Sequence, residues 1–192
     1  MHSNKGGLRI VGGRYRSRKL RVPARPGLRP TPDRVRETLF NWLGQDLAGL
    51  ACLDLYAGSG ALGFEAASRS AARVVLVEND RVALAELARS REALGAEQVE
   101  IVSGDAEAFL ARGGEGFDVV FLDPPFRQNA LPEILADLPL RLRPGARVYV
   151  ESDAPVAVAP PWSELKRARA GQVSYQLLRW DAHDQSGIPG NV

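Results

Sequence analysis

The sequence predicts an α/β fold built on a mostly parallel sheet, and three observations carry that prediction. From Gly49 onward, short apolar runs alternate with segments of helical periodicity. The first of these runs passes into the glycine turn of Leu53 to Gly63 (LDLYAGSGALG), which reads as strand, turn and helix start. A later run, Phe117 to Leu122, ends directly in Asp123-Pro124-Pro125-Phe126, which places those four residues where a buried parallel strand opens into a cleft.

In chain order, residues 1–30 predict a short basic hairpin followed by a proline-rich connector. Leu8 to Val11 and Leu20 to Val22 flank Gly12-Gly13 and the alternation Arg14-Tyr15-Arg16. Thr31 is expected to cap a helix with Pro32 in its first turn, because Val35, Leu39, Trp42 and Leu43 then recur at helical spacing. Strands are predicted over 50–55, 73–78, 98–102, 117–122 and 146–151, with helices over 60–70, 80–94, 105–111 and 129–138. Apolar strands separated by helices imply right-handed crossovers. Two further strands, 163–169 and 172–180 around Gly171, read as a closing hairpin. The polar end, 181–192, is expected to be a flexible tail. The chain thus divides into 1–30, 31–180 and 181–192.

Composition bounds the function. The chain has 192 residues and 45% apolar content, enough for one domain with a buried core. The single cysteine, Cys52, rules out an intrachain disulfide and a cysteine metal cluster, fits a reducing compartment, and reads as a buried structural thiol. Neither a membrane span nor the apolar core of a signal peptide is visible, so a cytoplasmic protein is expected. The only histidines, His2 and His183, fall in the expected tails, which argues against histidine base chemistry and against zinc; no metal is expected.

The formal charge of +2 conceals two unequal parts. Residues 1–30 hold nine basic side chains (Lys5, Arg9, Arg14, Arg16, Arg18, Lys19, Arg21, Arg25 and Arg29) and no acid, so the remainder carries a net −7. An ordered basic arm on an acidic body suits a polyanion such as RNA, through phosphate neutralisation and counterion release. A solvated basic tail is the plainer alternative.

Gly58, Gly60 and Gly63 satisfy the dinucleotide pattern GxGxxG, and Glu78 follows 20 residues after Gly58, so a nicotinamide or flavin dehydrogenase has to be weighed. Charge turns the reading toward S-adenosyl-L-methionine. Asp54 lies four residues before the first glycine, where it would repel a pyrophosphate but attract a sulfonium and an ammonium. Glu78 ends the second strand of the alternation, where a carboxylate accepts ribose hydroxyls. Asp105 follows the third, where it either meets the adenine amino group or caps the next helix. Asp54 and Glu78 also have plain readings, as a turn cap and as a partner of Arg81.

These segments together, LRIVGG, RKL, RPTPDRVRETLFNWL, LDLYAGSGALG, DPPF and GQVSYQLLR, resemble the bacterial small-subunit rRNA guanine-N2 methyltransferases of the RsmD type over about residues 8–180. DPPF and AGSG alone suit many amino-methyltransferases; RPTPDRVRETLFNWL narrows the family. The resemblance implies a class I, Rossmann-like methyltransferase fold of seven strands with the last antiparallel. It also implies S-adenosyl-L-methionine as donor, S-adenosyl-L-homocysteine as product, and a 16S rRNA guanine amine within the 30S subunit as acceptor, guanine 966 being the family target. A monomer is implied as well. Tyr15 and Ser17 stand where the family has Trp and Gly.

The expected site therefore comprises Asp123, Pro124, Pro125 and Phe126 at the amine, and Asp54, Ala57, Gly58, Ser59, Gly60, Glu78, Asn79, Asp105 and Ala106 at the donor. Arg14, Arg16, Arg18, Lys19, Arg21, Arg29, Arg34, Arg36 and Arg127 are expected at RNA. A carboxylate and a proline carbonyl can each accept one N–H of a planar exocyclic amine, while Phe126 stacks on its ring. Arg34 and Arg36 have a plain reading as surface ion pairs, and Arg127 as a solvated side chain. Tyr15, Trp42, Trp162 and Trp180 are candidate stacking residues, with core packing the ordinary role for the tryptophans. Two alternatives remain open at this point: an amino-methyltransferase of DNA or protein, and a non-catalytic RNA-binding protein that keeps the fold.

Overall fold

The computed structural model describes residues 8–22, 31–124 and 131–181. Expectations at Pro125, Phe126, Arg127, Arg29, the connector and the terminal tail lie outside those residues. The first hairpin pairs β1 (Leu8–Arg9) with β2 (Lys19–Leu20) antiparallel, Leu8 opposite Leu20. Helix α1 (Asp33–Leu43) follows, and then the alternation itself: β3 (Ala51–Asp54), α2 (Ala61–Ser68), β4 (Arg73–Glu78), α3 (Arg81–Leu94), β5 (Val99–Ser103), α4 (Ala106–Ala111) and β6 (Phe117–Leu122). Helix α5 (Leu131–Asp137) ends in a 3-10 turn, Leu138–Arg141, and β7 (Leu142–Ser152), β8 (Trp162–Ala170) and β9 (Val173–Trp180) close the fold.

The sheet has seven strands in the order β5-β4-β3-β6-β7-β9-β8. β3 pairs in parallel with β4 and β6, β4 with β5, and β6 with β7, whereas β9 is antiparallel to both β7 and β8. The predicted parallel sheet with its last strand reversed is therefore the observed one. β7 begins four residues earlier than predicted because Leu142 pairs with Phe117 of β6 before the register shifts between Phe117 and Val119, where Arg147 resumes the pairing.

Strand alternation sends side chains to two cores. One face carries Cys52, Val74, Leu76, Val119, Phe121, Tyr149 and Tyr175 against Leu39 and Phe40 of α1, Phe64 of α2 and Leu87 of α3. The other carries Leu53, Val75, Val120, Leu122, Val148 and Leu178 against Leu110 of α4 and Ile134 of α5. Cys52 is fully buried, as its apolar setting predicted, and burial pushes its thiol up to about 12.

The hairpin belongs to the first core. Leu8, Ile10, Tyr15 and Leu20 are all buried in it, so Tyr15 is a packing residue and not a platform for a base. Ser17 adopts φ 66°, a left-handed conformation that glycine occupies without strain. The two departures from the family pattern thus fall at a core position and at a turn position. Trp42 stacks on Tyr175 with centroids 5.4 Å apart, and Trp162 meets Trp180 at 5.1 Å, so the tryptophans pack against protein rings. The expected Thr31 cap is absent: Pro32 occupies the cap position with no side-chain bond, and the Thr31 hydroxyl donates instead to Glu151 at 3.2 Å.

Candidate active site

Register places five acids along one rim of the sheet. Asp54 lies opposite Leu76 on β4 and Phe121 on β6, and Phe121 lies opposite Tyr149 on β7. Because side chains alternate with period two, Glu78, Asp123 and Glu151 project from the same face as Asp54, one repeat further toward the strand exits. Asp105 follows β5 at the outer end. The exits of β4, β3, β6 and β7 therefore open onto one crevice, which joins the two motifs separated in sequence.

The donor side is organised by backbone amides. Gly58 and Gly60 adopt φ 52° and 75°, turning the chain from β3 into α2. Glu78 is buried; its Oε2 accepts from Gly58 N–H at 2.8 Å, and Oε1 accepts from Asn79 N–H at 2.9 Å and Asp80 N–H at 2.8 Å. Asp54 lies beneath the turn, 2% exposed, and Oδ2 accepts from Gly63 N–H at 3.0 Å. A side chain at residue 63 would meet Leu76 at 2.1 Å, so glycine there lets α2 approach the sheet. Burial pushes the Asp54 carboxyl up to about 7, partly offset by the bond from Gly63, with Glu78 adding to the rise. Asp105 occupies the cap position of α4 without a side-chain capping bond; its Oδ1 accepts from Asn79 Nδ2 at 2.7 Å.

This arrangement fits a cationic nucleoside better than a dinucleotide. Asp54, Glu78 and Asp105 surround the turn, and the amides that would meet a pyrophosphate already bind carboxylates at Gly58 and Gly63. Ala57 and Ser59 are buried within the turn, Asn79 is exposed, and Ala106 is buried at the start of α4.

The acceptor side is built differently. Asp123 and Pro124 follow β6, Asp123 half-buried and Pro124 buried. Dense surroundings, and then the negative charges of Glu151 and Asp54, hold the Asp123 carboxyl well above the usual carboxylate range. Beside it, Glu151 Oε1 accepts from Tyr149 OH at 2.8 Å and from Thr31 Oγ1. Glu151 and Tyr149 were not singled out by sequence reasoning, and Thr31 only as a helix cap; the signal was an acid closing the apolar run Val148 to Val150, matching those that close β3 and β4.

The expected RNA residues separate into two groups. Arg14, Arg16, Arg18, Lys19, Arg21 and Arg34 are exposed, with Arg18 Nη2 donating to the Ala93 carbonyl of α3 at 2.8 Å. Arg36 is a correction. It is fully buried and donates to Glu65 Oε2 at 3.2 Å, to Asp33 Oδ1 at 2.6 Å and to the Arg9 carbonyl at 2.6 Å, so it cannot reach a phosphate. Fully buried Glu65 is the centre of this network: it also accepts from Val11 and Gly12 N–H, each at 2.8 Å, and from Arg69. Arg14 N–H bonds the Ser68 carbonyl and Tyr15 N–H the Ser68 hydroxyl, so the basic hairpin is docked on α2, the helix that starts at the glycine turn.

Comparison with known proteins agrees with this architecture. The family profile described as "Conserved hypothetical protein 95" matches residues 8–179. The chain is 45% identical over 190 residues to Ribosomal RNA small subunit methyltransferase D of Escherichia coli (strain K12), covering 96% of each chain. It is 43% identical over 183 residues to the protein of the same name from Haemophilus influenzae, covering 91% of this chain and 95% of that one. The solved structure of yhhF from Escherichia coli superposes with a TM-score of 0.84 at 46% identity, over 92% of this chain and 99% of that one. An RNA methyltransferase from Salinibacter ruber, solved with S-adenosyl-L-homocysteine, shares the fold at a TM-score of 0.59 and 23% identity, over 85% and 98%. With the seven-stranded sheet and its reversed β9, these likenesses show that the chain has the class I methyltransferase fold and belongs to the family of ribosomal RNA small subunit methyltransferase D, the RsmD type.

Proposed function

We propose that the protein transfers a methyl group from S-adenosyl-L-methionine to the exocyclic N2 amine of a guanine in 16S rRNA, with guanine 966 as the position suggested by the family resemblance. The observation that carries this reading is that Asp123 leaves β6 on the face and at the level of Glu78, one strand from Asp54, so amine and donor sites share a crevice. The names of the two relatives support rRNA as the acceptor.

In this reading Glu78 accepts the donor's ribose hydroxyls, Asn79, Asp105 and Ala106 line its adenine, and Ala57 to Gly60 follow its amino-acid portion. The donor, when bound, supplies an electrophilic methyl on a positively charged sulfur. The lone pair of guanine N2 is delocalised into the ring, so the chain's task is to localise and aim it. Asp123 and the Pro124 carbonyl each accept one N–H, which orients the amine, and Pro125 and Phe126 are assigned to stiffening the loop and stacking on the base. Asp123 also offsets the positive charge that develops on nitrogen. The base has to leave its stack to enter, which favours an exposed or loop guanine. Exposed hairpin arginines on the docked arm would hold the surrounding phosphates.

The acceptor is taken to be RNA within the assembled 30S subunit, met by a monomer in the cytoplasm. Among the described residues no helix is long and apolar enough to cross a membrane. The test is nucleotide-resolution mapping of methylation on 16S rRNA from cells with and without the protein, together with labelled transfer to 30S particles, naked rRNA, DNA and protein. An N2-methylguanine lost with the protein is expected. Label confined to DNA or to protein would overturn the reading.

A further inference from the structure

The acceptor end of the crevice contains two carboxyl groups, and the reading above uses only one. β6 and β7 pair in parallel with Leu122 opposite Val150, so the residues that follow, Asp123 and Glu151, stand side by side on the face that carries Phe121 and Tyr149. Neighbouring strands lie about 4.8 Å apart, which brings the two carboxyls together. Glu151 is 6% exposed, so it is a buried acid beside the reacting group and not part of a solvated rim.

What surrounds Glu151 fixes its state. Tyr149 OH and Thr31 Oγ1 both donate to Oε1. On one side Glu151 faces Tyr175 of β9, and on the other Asp123 follows the adjacent β6 and Asp54 ends β3. On α1, Asp33 and Arg36 bond each other. Among the described residues no ion pair reaches Asp123 or Glu151. Two adjacent carboxyls, one buried and one half-buried, do not both ionise readily, and the one that receives two hydroxyl bonds keeps its charge more easily. Burial raises Glu151 while these two bonds oppose the rise; Asp123 is held well above its usual range by burial and by the charge of Glu151, and no hydrogen bond among the described residues opposes it. Where only one of the pair is ionised the charge resides on Glu151, and Asp123, ionised at higher pH, is the stronger base of the two.

We propose that Glu151 is a positioning residue for the transfer: held by Tyr149 and Thr31 as a fixed anion beside Asp123, it makes Asp123 the group that takes the proton from the methylated amine. This rests on the reading of Asp123 as the amine-binding acid. In the step, the amine nitrogen bonds to the methyl carbon as the carbon–sulfur bond breaks and its electron pair stays on sulfur. The nitrogen then carries a positive charge. One N–H bond breaks, its electron pair returns to nitrogen, and the proton forms an O–H bond on Asp123, leaving a neutral carboxylic acid. A neighbouring anion strengthens the base that receives this proton, and it sets the pH above which Asp123 is ionised and able to act.

The experiment follows the side-chain carboxyl carbon of Asp123 by NMR through a pH titration of the full-length protein without ligand, in wild type, Glu151→Gln and Tyr149→Phe. Glu151→Gln keeps the size and an oxygen for the two hydroxyls but removes the charge. The Asp123 midpoint is expected to fall by about one pH unit or more in Glu151→Gln, and in the same direction by less in Tyr149→Phe. The acidic limb of the kcat profile should move down with it while KM for the donor stays within about twofold. A merely structural Glu151 would lower stability without moving either midpoint. An unchanged Asp123 midpoint in folded Glu151→Gln overturns the proposal; should that variant not fold, an unchanged midpoint in Tyr149→Phe does so. Failure of the substrate reading looks different, as wild-type enzyme that methylates another acceptor, and it leaves the Asp123 titration to decide the coupling.

Discussion

The two halves of the crevice hold their acids with different partners. On the donor side, Asp54 and Glu78 are tied to backbone amides of the glycine turn and the start of α3, so these carboxyl groups organise main chain and are held in place by it. On the acceptor side, Glu151 is bonded by two hydroxyls, and Asp123, without a recorded backbone bond among the described residues, is held well above the usual carboxylate range. Acids bound to backbone amides suit binding, since their position is fixed by the main chain they organise. An acid whose proton affinity is raised suits chemistry in which a proton must be received.

That contrast can be broken at either half. The largest effect is expected from Asp123→Ala: transfer should fall by roughly 10²–10⁴-fold, while donor affinity measured by calorimetry changes by no more than about threefold. Comparable loss of donor binding would merge the two halves. Next is Glu65→Gln, which removes the charge facing two buried arginines beneath the hairpin. It should cost about 3–5 kcal/mol in chemical denaturation and loosen the docked arm, seen as faster amide exchange in β1 and β2.

Asp54 gives a pH test of the donor half. Its folded-state carboxyl is raised to about 7 from 3.8, so its neutral form is the one that favours folding. The corresponding stability is fully present below about pH 4 and is lost as pH rises toward 7. The stability difference between Asp54→Asn and wild type should therefore move in favour of the variant across that window, by on the order of 3–4 kcal/mol, measured by denaturation at each pH. A flat difference would contradict the burial argument.

Smaller effects belong to the hairpin. Arg14, Arg16 and Arg18 changed together to Ala should weaken rRNA binding by roughly tenfold at moderate salt and lower the slope of affinity against salt by about 2–3. Ser17→Gly relieves a left-handed turn and should raise stability by about 0.5–1 kcal/mol without altering donor affinity.

The central strands β3, β4 and β6 were legible because each is a largely apolar run closed by a turn, and Phe117–Leu122 was bounded to the residue, whereas the polar β8 was legible only from the turn at Gly171. Glu78 and Asp123 were legible because each closes such a run at a predicted sheet exit. Arg36 was misread as surface because charge suggested solvent. Its spacing of three and four residues from Leu39 and Phe40 places it on the buried stripe of α1, where the hairpin and Glu65 supply its partners. No local pattern announces a contact such as Thr31 with Glu151, across 120 residues, because it depends on how α1 enters over β7. Thr31 before Pro32 looked like a cap for that reason.

The central claim is spatial: donor and amine meet on one face, over the exits of β3 and β6. It is tested most directly by a crystal structure with S-adenosyl-L-homocysteine bound. The account predicts ribose hydroxyls at Glu78, the amino-acid portion along Gly58 to Gly60, and the sulfur turned toward Asp123. A nucleoside on the opposite face of the sheet, or a sulfur directed away from Asp123, would contradict it.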